Sequence, residues 1–126
     1  MTETELRRMY VAACTTAFKD VRLFIRNIAT IEFEDRVIKA GVKGQADVWG
    51  WLFTTSRSLF PIPLEIELKN VKTPQNPHQK AWEDYCLTHH VPYLLLRAHK
   101  GATSSEVIER WVRVTSAWLE TLRSVG

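Results

Sequence analysis

The chain has 126 residues, 45% hydrophobic and 25% charged, an ordinary globular composition that suits one domain with a real core. Its net charge of +3 and pI near 9.0 lean weakly towards polyanionic partners. Cys14 and Cys86 lack the clustering of a zinc site, no apolar run approaches the about 18 residues of a membrane span, and the first residues lack a signal-peptide pattern, so a soluble, cytoplasmic protein with two reduced thiols is expected.

In chain order, Leu6, Met9, Tyr10, Ala13, Cys14 and Ala17 follow helical spacing and predict an amphipathic helix over 2–19, capped by Thr2 or Thr4. Residues 21–28 and 31–39 read as strands, the second interrupted by Glu34, Asp35 and Arg36. Gly41 and Gly44 mark a turn before a third, aromatic-rich strand over 47–53. A polar loop over 54–63 leads to a fourth strand over 64–69, expected to be central. Prolines and asparagines make 70–77 a loop. Asn76 or Pro77 then opens a helix over 78–90 with Ala81, Trp82, Tyr85 and Cys86 in an apolar stripe. A fifth strand covers 91–98, and Ser104 or Ser105 caps a last helix to about 124, with Trp111 and Trp118 on its apolar side. The expected fold is one α/β domain over 1–126, a mixed sheet of four or five strands flanked by helices, with the last helix added at the C-terminal end.

The chemistry concentrates between Lys43 and Gln79. On a strand, Leu64, Ile66 and Leu68 point to one face and Glu65, Glu67 and Lys69 to the other. Asp47 on one strand and Glu67 on the next can meet around a hard divalent cation, with the backbone carbonyl of Leu68 as a third oxygen. Such a cation polarises a phosphoryl oxygen and acidifies a bound water, while Lys69 on the same face orients or deprotonates that water or stabilises the developing charge. Glu-x-Lys on a strand, taken alone, is more often a solvated ion pair. The glycine turn, Asp47 and Gln79 at the start of the next helix shift the balance towards a site.

Gly44, Asp47, Glu67, Leu68, Lys69 and Gln79, in this order, resemble the PD-(D/E)XK nuclease superfamily, and more narrowly its small VRR-NUC branch of phage and bacterial nucleases. The resemblance covers almost the whole chain, including the acid-bearing first helix and the pair Arg26, Asn27. It implies a Mg²⁺- or Mn²⁺-dependent endonuclease, often acting on branched DNA such as a Holliday junction, and commonly a homodimer. Carried over to this sequence, Asp47 and Glu67 are metal ligands, Lys69 is the catalytic lysine, and Gln79 projects from the next helix towards the site. Glu5 is the first-helix acid, with Glu3 as its competitor. Ala46 stands where the superfamily's motif has proline. Glu65 is an extra acid on the face of Glu67, either an outer ligand or solvated.

His78 beside Gln79 is a candidate base or phosphate contact, although a histidine at a helix start is more often capping or solvated. Trp49 and Trp51 share a face with Asp47, and Trp49 is a candidate for stacking on a nucleobase, with packing under the first helix as the commoner fate. Lys43, Arg57, Lys72, Lys80, Arg97 and Lys100 surround the site segments and form a candidate basic rim for a DNA backbone. Two alternatives to a structure-specific DNA endonuclease stand: a non-catalytic module that binds DNA or protein on the same fold, and a restriction-type endonuclease reading sequence through the 54–63 loop.

Overall fold

The computed structural model describes residues 2–26, 30–33, 36–39, 44–53 and 60–125. The first helix, α1 (Glu3–Ala17), starts with a capping box: the Thr2 hydroxyl accepts from Glu5 N at 3.2 Å, and the Glu5 carboxylate accepts from Thr2 N at 3.3 Å. It is followed by β1 (Val21–Ile25), β2 (Thr30–Phe33), β3 (Arg36–Lys39), β4 (Val48–Leu52), β5 (Ile62–Lys69), α2 (Pro77–Thr88), β6 (Tyr93–Arg97) and α3 (Ser104–Val125).

One expected element divides in two. The single strand over 31–39 is instead an antiparallel pair, β2 with β3, in which Phe33 faces Arg36 and Ile31 faces Ile38. The acidic pair Glu34, Asp35, which lies outside the described residues, has little strand propensity. Strands β2 and β3 form their own small sheet.

The main sheet has the order β1-β4-β5-β6, antiparallel except for the parallel pair β5–β6. It is therefore mixed, with β5 inside it, as the apolar alternation of 64–69 required. Leu64 and Ile66 enter a core with Val48, Leu52, Leu23 and Leu96 from the sheet, Tyr10 and Cys14 from α1, and Val107, Trp111 and Leu119 from α3. Thus α1 and α3 cover one face. Helix α2, with Cys86 buried beneath it, covers the β5–β6 side of the other. Among the described residues no helix is long and apolar enough to cross a membrane.

On that second face Phe24, Trp49, Trp51 and Phe53 form a row of aromatic contacts, with centroids 4.9 Å apart for Phe24–Trp49 and 5.7 Å for Trp49–Trp51. The expectation that these tryptophans pack under the first helix is corrected here. They alternate with Val48 and Gly50, which face α1, and so point away from it.

Candidate metal centre

The site lies where β4 begins and β5 ends. Register pairs Val48 with Ile66, so Asp47 stands next to Glu67 across the strands. Two backbone bonds fix Asp47: its carbonyl accepts from Arg26 N at 2.8 Å, and its carboxylate Oδ2 accepts from Leu68 N at 3.0 Å. In a strand a residue's N–H and C=O point the same way, so the Leu68 carbonyl faces the Asp47 side. The Lys69 carbonyl faces the other way and accepts from Ala98 N at 2.9 Å.

Glu65, Glu67 and Lys69 are only 6%, 1% and 7% exposed, so the polar face of β5 is as buried as its apolar face. Burial of charge at this density requires partners. Glu65 has one: Arg26 Nη1 donates to both its oxygens at 3.0 and 3.1 Å and also to the Ala46 carbonyl at 3.1 Å. Burial raises the Glu65 carboxyl above its ordinary range, and Arg26 pulls against that rise. Glu65 is therefore neither solvated nor turned towards the Asp47–Glu67 pair; its carboxylate is spent on Arg26.

Glu67 is served by the next helix. Asn76 caps α2, its side chain accepting from Gln79 N at 2.9 Å while Gln79 Oε1 accepts from Asn76 N at 3.0 Å. This box fixes the Gln79 amide, whose Oε1 also accepts from Lys69 Nζ at 2.6 Å and whose Nε2 donates to Glu67 Oε1 at 3.1 Å. Lys69 Nζ lies 3.9 Å from the same Glu67 oxygen. Gly44 supports this arrangement from the other side. Its φ of +83° suits glycine, and a Cβ there would come within 2.2 Å of the His78 carbonyl and 2.7 Å of Gln79 N.

The second Glu67 oxygen, Oε2, is buried and has no hydrogen-bond donor among the described residues. Burial and the Asp47 carboxylate beside it push the Glu67 carboxyl up to about 8, with Lys69 and Arg7 opposing. A buried carboxylate oxygen without a donor, next to a second carboxylate, fits a cation. Among the described residues no three side chains of His, Cys, Asp or Glu converge. Asp47, Glu67 and the Leu68 carbonyl are the oxygens that could hold an ion here, and three protein donors would suit Mg²⁺ or Mn²⁺, since Mg²⁺ keeps several waters.

The chain matches no protein-family model, no curated protein and no solved structure.

Asp47, Glu67, Lys69 and Gln79 come together as expected from their order. Glu5 does not join them: its carboxylate closes the α1 capping box. Its competitor Glu3 lies nearer, accepting from Asn70 Nδ2 at 2.6 Å and lining, with Arg7, Leu68, Lys69 and Trp111, a space of about 10 Å³, room for about one water. His78 is exposed and meets the site through its backbone, which packs on Gly44. Trp49 is half-buried, with Arg26 over its ring at 5.9 Å.

Of the basic rim, Lys72 and Lys100 are exposed, and Lys80 pairs with Glu83 at 2.9 Å. Arg97 holds the loop after β5, donating to the carbonyls of Asn70 and Thr73 at 2.9 and 2.7 Å. Lys43, Arg57 and Asn27 lie outside the described residues, as does most of the 54–63 loop. Sequence reasoning passed over Arg7, whose Nη2 lies 3.3 Å from Asp47 Oδ1. Its signal was available: Arg7 stands four residues after Glu3, on the same helix face.

Proposed function

We propose that this chain is a metal-dependent endonuclease that hydrolyses phosphodiester bonds in DNA, with a PD-(D/E)XK-type core. One observation carries the reading: two carboxylates, Asp47 and Glu67, meet at the mouth of a β4–β5 pair, with a buried lysine two residues on and a helix-borne glutamine joining that lysine to Glu67.

Mg²⁺ or Mn²⁺, when bound, supplies polarisation of the phosphoryl oxygen and acidification of a water. Asp47, Glu67 and the Leu68 carbonyl would hold the ion. Gln79 fixes the rotamers of Glu67 and Lys69 at once, so both are preorganised before substrate arrives. Lys69 Nζ, held 3.9 Å from Glu67, is placed to orient the attacking water and to stabilise charge that develops on the phosphoryl oxygens. Asp47 keeps its position through the Leu68 N–H and need not move to bind. Water then attacks in line, without a covalent enzyme intermediate.

Branched DNA, such as a four-way junction, is the substrate favoured by the sequence resemblance, and a homodimer would set two sites on opposite strands of a symmetric junction. The experiment compares cleavage of a labelled four-way junction, a linear duplex and single-stranded DNA by wild type and Glu67→Ala, with Mg²⁺, Mn²⁺ or EDTA. Cutting of the junction by wild type alone, and only with metal, is expected. Equal cutting of all three DNAs removes the junction preference, and binding without cutting leaves a non-catalytic binding module instead.

A further inference from the structure

Arg7 sits in the second turn of α1 with its guanidinium between two acids, 3.3 Å from Asp47 Oδ1 and 3.7 Å from Glu3 Oε2. It is also one wall of a cavity of about 260 Å³ whose other lining residues are Thr4, Arg8 and Ile25. Ile25 ends β1, and the next backbone N–H, of Arg26, is the one that bonds the Asp47 carbonyl. The cavity therefore adjoins the candidate metal carboxylates on the α1 side of the sheet.

Among the described residues its lining is two arginines, one threonine and one isoleucine, and no acid. Arg8 has no ion pair with another described residue, so its charge is uncompensated. Guanidinium forks match the tetrahedral oxygens of phosphate better than they match a point anion. The Asp47 contact adds a second feature. A cation held by Asp47 competes with Arg7 for the same carboxylate, so loading the metal centre weakens the hold on Arg7 and adds positive charge beside the cavity. An anion arriving with the metal is what such a charge balance accepts.

We propose that the cavity formed by Thr4, Arg7 and Arg8 is a phosphate subsite that grips the DNA strand beside the scissile bond, and that cation binding at Asp47 releases Arg7 to complete it. The proposal rests on the nuclease reading, since it takes its ligand from that substrate. Arg8 contacts the phosphate in both states of the metal centre. Arg7 contacts it only when the cation is present.

The test measures binding, not turnover. Short labelled DNA duplexes carrying either a 5′-phosphate or a 5′-hydroxyl are titrated by fluorescence anisotropy with wild type, Arg8→Ala and Arg7→Ala, in Ca²⁺ and in EDTA, over a range of salt. Arg8 is exposed, so its variant keeps the fold. Arg8→Ala is expected to weaken binding about tenfold and to reduce the slope of log affinity against log salt by about 0.9, one phosphate contact. Equal loss on both duplexes assigns an internal backbone phosphate; loss confined to the 5′-phosphate duplex assigns a terminal one. Arg7→Ala is expected to weaken DNA binding in Ca²⁺ but not in EDTA. Without DNA, the same variant should show a larger Ca²⁺-induced rise in Tm than wild type, because Asp47 has lost its competing partner.

Wild-type affinity and slope for Arg8→Ala on both duplexes overturn the subsite, and equal losses for Arg7→Ala with and without Ca²⁺ overturn the release. If wild type cuts DNA while Arg8→Ala binds normally, the nuclease reading survives and the subsite falls. If Arg8→Ala loses affinity while wild type never cuts, the subsite stands and catalysis falls.

Discussion

At the scale of single residues, Glu67 carries the consequence most open to measurement. Burial and the neighbouring Asp47 carboxylate push its carboxyl up to about 8 from an ordinary 4.5. The raised value means that the folded chain binds a proton the unfolded chain has released. The associated stability is complete below about pH 4.5 and is lost as pH rises through about 8. The Tm without metal should therefore fall between those values, and Glu67→Gln should flatten that fall. In the proposed metal centre a cation displaces the same proton, so the divalent-ion affinity of wild type should rise from pH 6 to pH 8, measured by calorimetry. A pH-independent affinity would place the ion elsewhere. Gln79 touches Glu67 and Lys69 without being a ligand, and Gln79→Ala is expected to lower metal affinity or kcat about 10–100-fold with the fold intact by circular dichroism. The order Asp47, Glu67, Lys69, Gln79 was legible because strand alternation and helix start are local rules. The choice between Glu3 and Glu5 was not, because it depends on which acid the Thr2 cap consumes. Nor was the role of Glu65, since only the folded chain brings Arg26 to it.

Among the elements, α2 does the positioning, and both its ends are specified. The Asn76–Gln79 box could be read from the sequence as a helix start, yet that Gln79 serves cap and site together needed the tertiary contact with Lys69. Gly44→Ala is expected to cost about 2–4 kcal/mol, through a left-handed φ and a Cβ driven into the His78 carbonyl, and to reduce metal affinity as Gln79 shifts. Urea unfolding together with a metal titration checks both. The C-terminal end of α2 is a Schellman turn, with Val91 N bonded to the Cys86 carbonyl at 2.8 Å and His90 N to that of Leu87 at 3.3 Å. His90 there has φ of 58°, so His90→Gly should add about 0.5–1 kcal/mol, or about 2–5 °C in Tm, without touching the site. The expected helix runs on to residue 90, because periodicity carries no sign of a left-handed residue. The β2–β3 pair was missed for a different reason: nine residues of alternating apolar and charged side chains with acids at the centre fit one interrupted strand as well as two short ones.

For the whole molecule, helices flanking a mixed sheet follow from the sequence, and the folded chain sorts them into three layers: α1 and α3, the sheet, and α2. What periodicity could not supply was which helix lies on which face, and hence that Trp49 and Trp51 point away from α1. A buried contact unites the outer helices of the first layer. Thr115 spends its proton on the Trp111 carbonyl at 2.7 Å, so Tyr10 donates to Thr115 at 2.8 Å. Tyr10→Phe should cost about 1 kcal/mol in urea unfolding, with no change in metal affinity, because the bond lies in the core and not at the site. The two cysteines mark the layers separately. Cys14, pushed up to about 12, belongs to the α1–α3 side, and Cys86, pushed up to about 11, lies under α2. The native chain is thereby its own two-channel clock: under a thiol-trapping reagent, one sulfur reports each time the outer helices lift and the other each time α2 lifts. Adding the divalent ion should slow the α2 channel more than the other, since Gln79 fastens that helix to Glu67.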